Sequence, residues 1–263
     1  MAGNLNQIIS RNSTVLEISV FRFLKDKKTI FLGIVGLLPT ILALLWSQSK
    51  NWSATIQDLR FDYVTLADGL FVNLIVLLLC LILAISTLKD EEESKTISYL
   101  LTRPLSRFEI YAMKFLAFEA VAIPLTVGCM LPSYLIMAFG RSPESIFSEF
   151  NLFFGSSILI AVEITFYGAI FMLLAILLSK PLIPSFLIAI VERWFLTGIL
   201  SAVDLGPFAP SYHLAAIGNA LIPYGPYTVE KTSTGWESML LLLLLSVGAV
   251  VVGLLVMKNK DFP

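Results

Sequence analysis

The chain has 263 residues, of which 57% are hydrophobic and only 14% charged, with a net charge of −1. An average soluble domain is about 25% charged, so this composition excludes an ordinary soluble fold. Nothing in the near-zero net charge points to an electrostatic nucleic-acid binder. Cys80 and Cys129 lie inside apolar runs and His213 is the one histidine, so neither metal-type cysteine spacing nor a histidine-based metal site is present.

The first element in chain order is 14–28. Leu16, Val20, Phe23 and Leu24 recur at helical spacing, while Glu17, Arg22, Lys25 and Asp26 fall on other faces. Thr14 and Glu17 have the spacing of a capping box, in which each side chain satisfies a backbone N–H of the first turn. This pattern predicts an amphipathic helix lying in the membrane interface. A simple extension of the first span is the alternative.

Six stretches then reach the roughly 20 mainly apolar residues that a membrane span needs. They are 29–47, 69–88, 110–139, 152–178, 182–203 and 238–257, the third containing Pro124 and Pro132. The expected fold class is an all-α integral membrane protein with six transmembrane helices in a single domain over 1–263. Basic residues alternate from loop to loop. Arg11, Arg22, Lys25, Lys27 and Lys28 precede the first span, Lys89, Lys95, Arg103, Arg107 and Lys114 lie around the loop between spans two and three, Lys180 follows the fourth span, and Lys258 and Lys260 follow the sixth. The opposite loops hold only Lys50, Arg60, Arg141 and Lys231. Cytoplasmic loops are enriched in Lys and Arg, so both termini are expected in the cytoplasm and the chain in the cytoplasmic membrane. Trp46 and Trp236 fall where an outer aromatic belt belongs.

Segment 204–236 is expected to be external. Pro207, Pro210, Pro223 and Pro226 interrupt it, with Phe208, Tyr212, Tyr224 and Tyr227 between them. It is too polar to span and too apolar for a free linker, so short helices or a re-entrant hairpin fit. His213 beside Tyr212 reads as a loop residue.

The segment from Asp90 to Lys114, around a loop placed at 90–105, is the most informative. Asp90, Glu91, Glu92 and Glu93 precede a short helix-compatible run from Lys95 to Thr102. Negative charge near a helix N-terminus is favourable by about 0.3–1 kcal/mol per group, because it faces unpaired N–H groups. Pro104 ends that run by disfavouring an α conformation at Arg103. Ser106 and Glu109 form another capping box, which starts the third span. The short helix presents Ile97, Leu100 and Leu101 to the cytoplasmic side, as suits docking; an ordinary charged loop is the plainer reading.

Five polar residues fall within or near the spans: Asn73, Glu119, Glu163, Glu192 and Arg193. A charge near the bilayer centre costs about 2.5–3.5 kcal/mol on insertion scales, so such residues usually face protein or a wet cavity. Glu163 is the deepest by counting. Either it lines a transport path or it is a neutral acid hydrogen-bonded to a neighbouring helix. Glu192 and Arg193 are adjacent, about 100° apart on a helix, and need not pair with each other. Asn73 is suited to an interhelical hydrogen bond.

The loop resembles the signature of ABC-2-type permeases, and is similar to the permease of the copper-enzyme maturation system. The matching residues are Glu92 or Glu93, Thr96, Leu100 and Leu101, Pro104, Ser106 and Arg107, Ile110 and Lys114; Lys95 stands where the family often has Gly. The resemblance implies an ABC-2, or type V exporter-like, fold in which 90–105 carries a cytoplasmic coupling helix. It implies docking of a separate ATPase through Glu91, Glu92, Glu93, Thr96, Ile97, Leu100, Leu101, Arg103, Pro104 and Arg107. The sequence contains no GxxxxGK[ST] loop, so ATP and Mg would be held by that partner; no cofactor is expected in this chain. Two permease copies and two ATPases would form the working unit, most naturally as an exporter. The alternative is a mechanotransmitter passing ATPase motion to an external protein through 204–236. A membrane-embedded enzyme is disfavoured, since the sequence shows no HExxH, no Ser–His set with a supporting acid and no paired Asp motif.

Overall fold

The structure, a computed structural model, describes residues 16–49, 56–93, 106–141, 144–196, 208–222 and 234–259. Among them every regular element is helical. Helix α1 covers 16–25 and turns Ser19 and Phe23 inward, leaving Ile18, Phe21 and Leu24 exposed. Leu24 thus lies outside the buried face that its spacing suggested. At Asp26 the backbone is extended, and the carboxylate caps the next helix by accepting the Lys28 N–H at 3.1 Å. That break separates α1 from the first span.

The first span is α2 (Lys27–Gly36) followed by α3 (Leu38–Ser49). It is interrupted at Leu37 because Pro39, two residues on, has no N–H to continue the ladder. Helix α4 begins with Ile56–Leu66 and ends with Ile85–Glu93, with π-helical stretches at Ala67–Ile75 and Cys80–Ala84 inside it. It exceeds the expected 69–88 at both ends because its polar residues find partners. Arg60 forks onto Glu149 with two bonds of 2.6 and 2.7 Å. At the other end Lys28 pairs with Asp90 and Lys89 with Glu92, each at 2.6 Å. The acidic run therefore finishes α4.

Helix α5 (Arg107–Arg141) is started by the Ser106–Glu109 box, in which the Ser106 N–H donates to Glu109 at 2.8 Å and the Glu109 N–H to Ser106 Oγ at 3.2 Å. Pro124 and Pro132 lie inside it; neighbouring helices and hydroxyls allow such prolines in a span, and Ser133 Oγ lies 3.1 Å from Thr40 Oγ1 of α3. After the single turn α6 (Ser145–Ser148), helix α7 (Phe150–Leu177) forms the hub. It buries residues on most of its circumference, from Leu152 to Ile176. Contact is close where side chains are missing: a Cβ on Gly168 would lie 2.2 Å from the Phe118 ring of α5.

Helix α8 (Leu182–Ile190) continues as a π-helical stretch, Val191–Leu196. It starts the expected span 182–203, whose remainder lies outside the described residues. Five other segments are long and apolar enough to cross a membrane: Lys27–Gln48, Asp58–Asp90, Arg107–Gly140, Phe150–Leu177 and Gly235–Asn259. The last is α10, begun by a box in which Thr234 N–H donates to Glu237 at 3.2 Å.

Between α8 and α10 lies α9 (Pro210–Leu221). Its C-terminal Leu221 carbonyl sits against Gly155 of α7, where an added Cβ would be 2.8 Å away. At its other end the Ser211 N–H donates to Glu192, whose carboxylate also accepts the Tyr167 hydroxyl of α7. Gly155 to Tyr167 is about 18 Å along a helix, the length of the twelve-residue α9 at 1.5 Å per residue. So α9 runs antiparallel to α7 over about 18 Å, its first turn level with Tyr167 and its last with Gly155. His213 is consequently a buried helix residue with Nδ1 3.1 Å from Ser238 Oγ of α10. The loop expected there is corrected: Pro210 supplies a helix start at N1.

Candidate functional site

The polar residues within the spans converge on α8. Arg193 reaches two other helices. Its Nε donates to Asn73 Oδ1 of α4 at 2.7 Å, and its Nη2 donates to the Val72 carbonyl at 3.0 Å and to Glu163 Oε1 of α7 at 2.9 Å. Glu163 is fully buried and the Arg193 side chain nearly so. Asn73 is itself oriented, its amide donating to the Asp68 carbonyl at 2.7 Å and to the Asp68 carboxylate at 3.3 Å. A guanidinium presents its donors in a rigid fork, and here the fork spans a side-chain amide, a main-chain carbonyl and a carboxylate. Glu163 Oε2 is buried with no hydrogen-bond partner among the described residues.

Helical geometry explains why Val72 and Asn73 can serve together. Both lie in the π-helical stretch of α4, and Arg193 lies in that of α8. A π stretch carries one residue more per turn than the α ladder, and such bulges concentrate at functional sites.

Glu192 faces elsewhere. Helix α9 starts at Ala209, which has no side chain able to cap it. The first N–H groups of a helix lack internal partners, and Glu192 Oε1 fills that vacancy from α8 by accepting the Ser211 N–H at 2.9 Å. A carboxylate at this position is also favoured by the helix dipole. Adjacent residues of α8 thus fasten to different neighbours, Arg193 to α4 and α7, Glu192 to α7 and α9.

The fifth polar residue stands apart. Glu119 of α5 accepts the Thr165 hydroxyl of α7 at 3.1 Å. Thr165 is two positions from Glu163, hence on roughly the opposite face of α7, and Glu119 does not join the Arg193 group. Cys80 lies between the two regions, its thiol 3.8 Å from the Ile164 carbonyl.

Of the residues expected to dock a partner, Thr96, Ile97, Leu100, Leu101, Arg103 and Pro104 lie outside the described residues. Glu91 and Glu93 end α4, where their backbone alone is described. Glu92 pairs with Lys89, and Arg107 Nη1 donates to the Lys258 carbonyl at 3.4 Å, tying the start of α5 to the end of α10. Sequence reading missed Asp68, Tyr167 and Ser211. Asp68 sat at the edge of an apolar run, and nothing local marks a tyrosine or a main-chain N–H as a partner for a distant carboxylate.

These features define a polytopic helical membrane protein with a buried polar clasp and a short helix packed against α7 and α10. The family model for ABC-2 family transporter proteins matches residues 14–262, and the chain belongs to that family. It is the permease component of an ABC transporter, a multi-pass membrane subunit of a system whose ATPase is an ABC protein. No curated protein matches the sequence.

Proposed function

We propose that two copies of this permease work with two ABC ATPase subunits to export a substrate across the cytoplasmic membrane. The observation that carries this reading is the family match over 14–262 in a chain whose sequence has no GxxxxGK[ST] loop. Such a chain needs a separate subunit to bind ATP and Mg, and it contributes no catalytic residue of its own. Both termini face the cytoplasm, in keeping with the alternation of basic loops. The end carrying Lys28, Lys89, Arg107 and Lys258 is then cytoplasmic, and the C-terminal end of α9 points to the external side. The ATPase docks on the coupling helix of 90–105 through Ile97, Leu100 and Leu101, flanked by Glu91, Glu92, Glu93, Thr96, Arg103, Pro104 and Arg107. Arg193, Asn73, Glu163 and Glu192 border the transport path, with Glu119 as a separate polar point on α5.

A second reading rests on α9. Its attachment to Glu192 links the external segment to α8, as a mechanotransmitter acting on an external protein would require. Substrate-dependent stimulation of ATPase activity in the reconstituted complex supports export; stimulation by an external protein alone supports transmission.

Docking is tested by changing Leu100 and Leu101 together to Ala. Interface hot spots are worth about 2 kcal/mol or more each, so co-purification with the ABC ATPase partner should fall at least tenfold, by about the 1.4 kcal/mol that a factor of ten represents. Thermal stability of the permease alone should be unchanged. Full retention of ATPase binding and of coupled hydrolysis would overturn the docking assignment.

A further inference from the structure

Helix α8 is attached to the body in an unusual way. It leaves Leu182, Ile183, Phe186, Leu187, Ile188 and Val191 exposed and buries Ser185, Ala189 and Glu192. Lipid tails are as apolar as leucine, so helices in a bilayer associate through close packing and hydrogen bonds. Ser185 and Ala189 permit close approach but carry few atoms to pack, and Ser185 Oγ makes no hydrogen bond among the described residues. The specific attachment is therefore polar: Arg193 on α4 and α7, Glu192 on α7 and α9.

Two further features bear on α8. It is joined to α7 by a short non-helical link, in which Leu178 is extended and Pro181 precedes the helix. It also leaves a cleft of about 330 Å³ against α4, lined by Leu74, Leu77, Leu78 and Leu81 on one side and by Phe186 and Ile190 on the other. Asn73, the acceptor of Arg193, lies at the same cleft.

We propose that α8 is a movable flank of the α4–α8 cleft, hinged at Leu178–Pro181 and held in place chiefly by the clasp that Arg193 closes on Asn73, the Val72 carbonyl and Glu163, with Glu192 on Tyr167 and the Ser211 N–H as a second attachment. When the clasp is closed, Ser185 and Ala189 are covered. When it opens, α8 swings on the link and widens the cleft while α4, α5, α7 and α10 keep their packing. The inference goes beyond the export reading and is independent of it, because the clasp belongs to the permease alone.

The test uses a cysteine at Ser185, a one-atom change at a fully buried position, with the two native cysteines as internal controls. Cys80 and Cys129 are both buried, on α4 and α5. Alkylation by N-ethylmaleimide is followed residue by residue by mass spectrometry, in the purified permease without ATPase. In the parent carrying Ser185→Cys, all three thiols should react slowly. Adding Arg193→Gln should speed alkylation at position 185 by about tenfold or more, the signature of local opening, while Cys80 and Cys129 stay protected. Arg193→Lys keeps the charge but not the fork and should fall between. Unchanged protection at 185 in the Gln variant overturns the proposal. So does simultaneous loss of protection at Cys80 and Cys129, which would make Arg193 a support of the whole bundle.

Discussion

Helices α7 and α8 are consecutive and similarly apolar in sequence, yet the structure uses them in opposite ways. Helix α7 is enclosed, with Phe166, Tyr167, Phe171 and Met172 all buried in one stretch. Helix α8 shows most of its large side chains to the surroundings and is fixed by two charged ones. In water such a difference would be written in polarity, because an exposed face must be hydrophilic. In a bilayer the exposed face is apolar as well, so hydrophobicity marks both helices as spans and does not say which is the hub.

The sharpest way to break this comparison is to truncate a large residue on each helix. Phe171→Ala should cost about 3–5 kcal/mol, the usual range for emptying a packed aromatic site, and lower the unfolding midpoint in detergent markedly. Leu187→Ala, at a position 54% exposed, should stay within about 0.5 kcal/mol. Equal losses would mean that α8 is covered as thoroughly as α7.

Next in size is a pair of glycines. Gly168→Ala places a methyl 2.2 Å from the Phe118 ring and should cost about 1–3 kcal/mol by overpacking. On α10, a Cβ at Gly248 meets nothing within 4 Å. There the same change should be neutral or stabilising by about 0.4–1 kcal/mol, since alanine restricts the unfolded chain. Thermal shifts of opposite sign are the expected result, and shifts of the same sign would contradict the close α5–α7 contact.

The smallest effect concerns α9. Glu192→Gln keeps acceptors for the Ser211 N–H and the Tyr167 hydroxyl but loses the charge at the start of α9, and should cost about 0.3–1 kcal/mol; Glu192→Ala also leaves the Tyr167 hydroxyl unpaired and should cost more. Hydrogen exchange at the first turn of α9 should rise in the Ala variant. Exchange unaltered in both would remove Glu192 from its role as the cap.

Much of the architecture was legible in the sequence for one reason: a span is a long local pattern. The apolar runs placed the membrane helices, and the Ser106–Glu109 spacing located the start of α5 within a residue of where the box forms. The limits of α4 were harder. Arg60, Asp62 and the run Asp90–Glu93 read as loop because charge opposes a span, whereas the helix continues through them on ion pairs to Glu149 and Lys28. The clasp was legible only as its parts. Glu163 and Arg193 were each recognisable as intramembrane charges, but thirty positions separate them, and the π-helical stretches that aim their neighbours leave no composition signal. Short helices were among the forms expected for 204–236, but His213 was still misplaced as a loop residue, since nothing in the sequence pairs it with Ser238 and only Pro210 marks the start of α9.

The π-helical stretch in α4 has a consequence for how this site can be lost. A helix that carries one extra residue stores a register as well as a set of side chains. Deleting Gly69 or Leu70 would leave the apolar character of the span, its charges and its predicted topology almost unaltered. It would nevertheless turn Asn73 by about 100° relative to Arg60 and Tyr63, because these precede the deletion and Asn73 follows it within the stretch. Tyr63 is fixed in the bundle by its edge contact with Tyr134 at 5.3 Å, so the rotation would fall on Asn73. Chain length within that segment is thus as much a part of the clasp as the identity of any residue, and a one-residue gap there would dissolve it without altering a single contacting side chain.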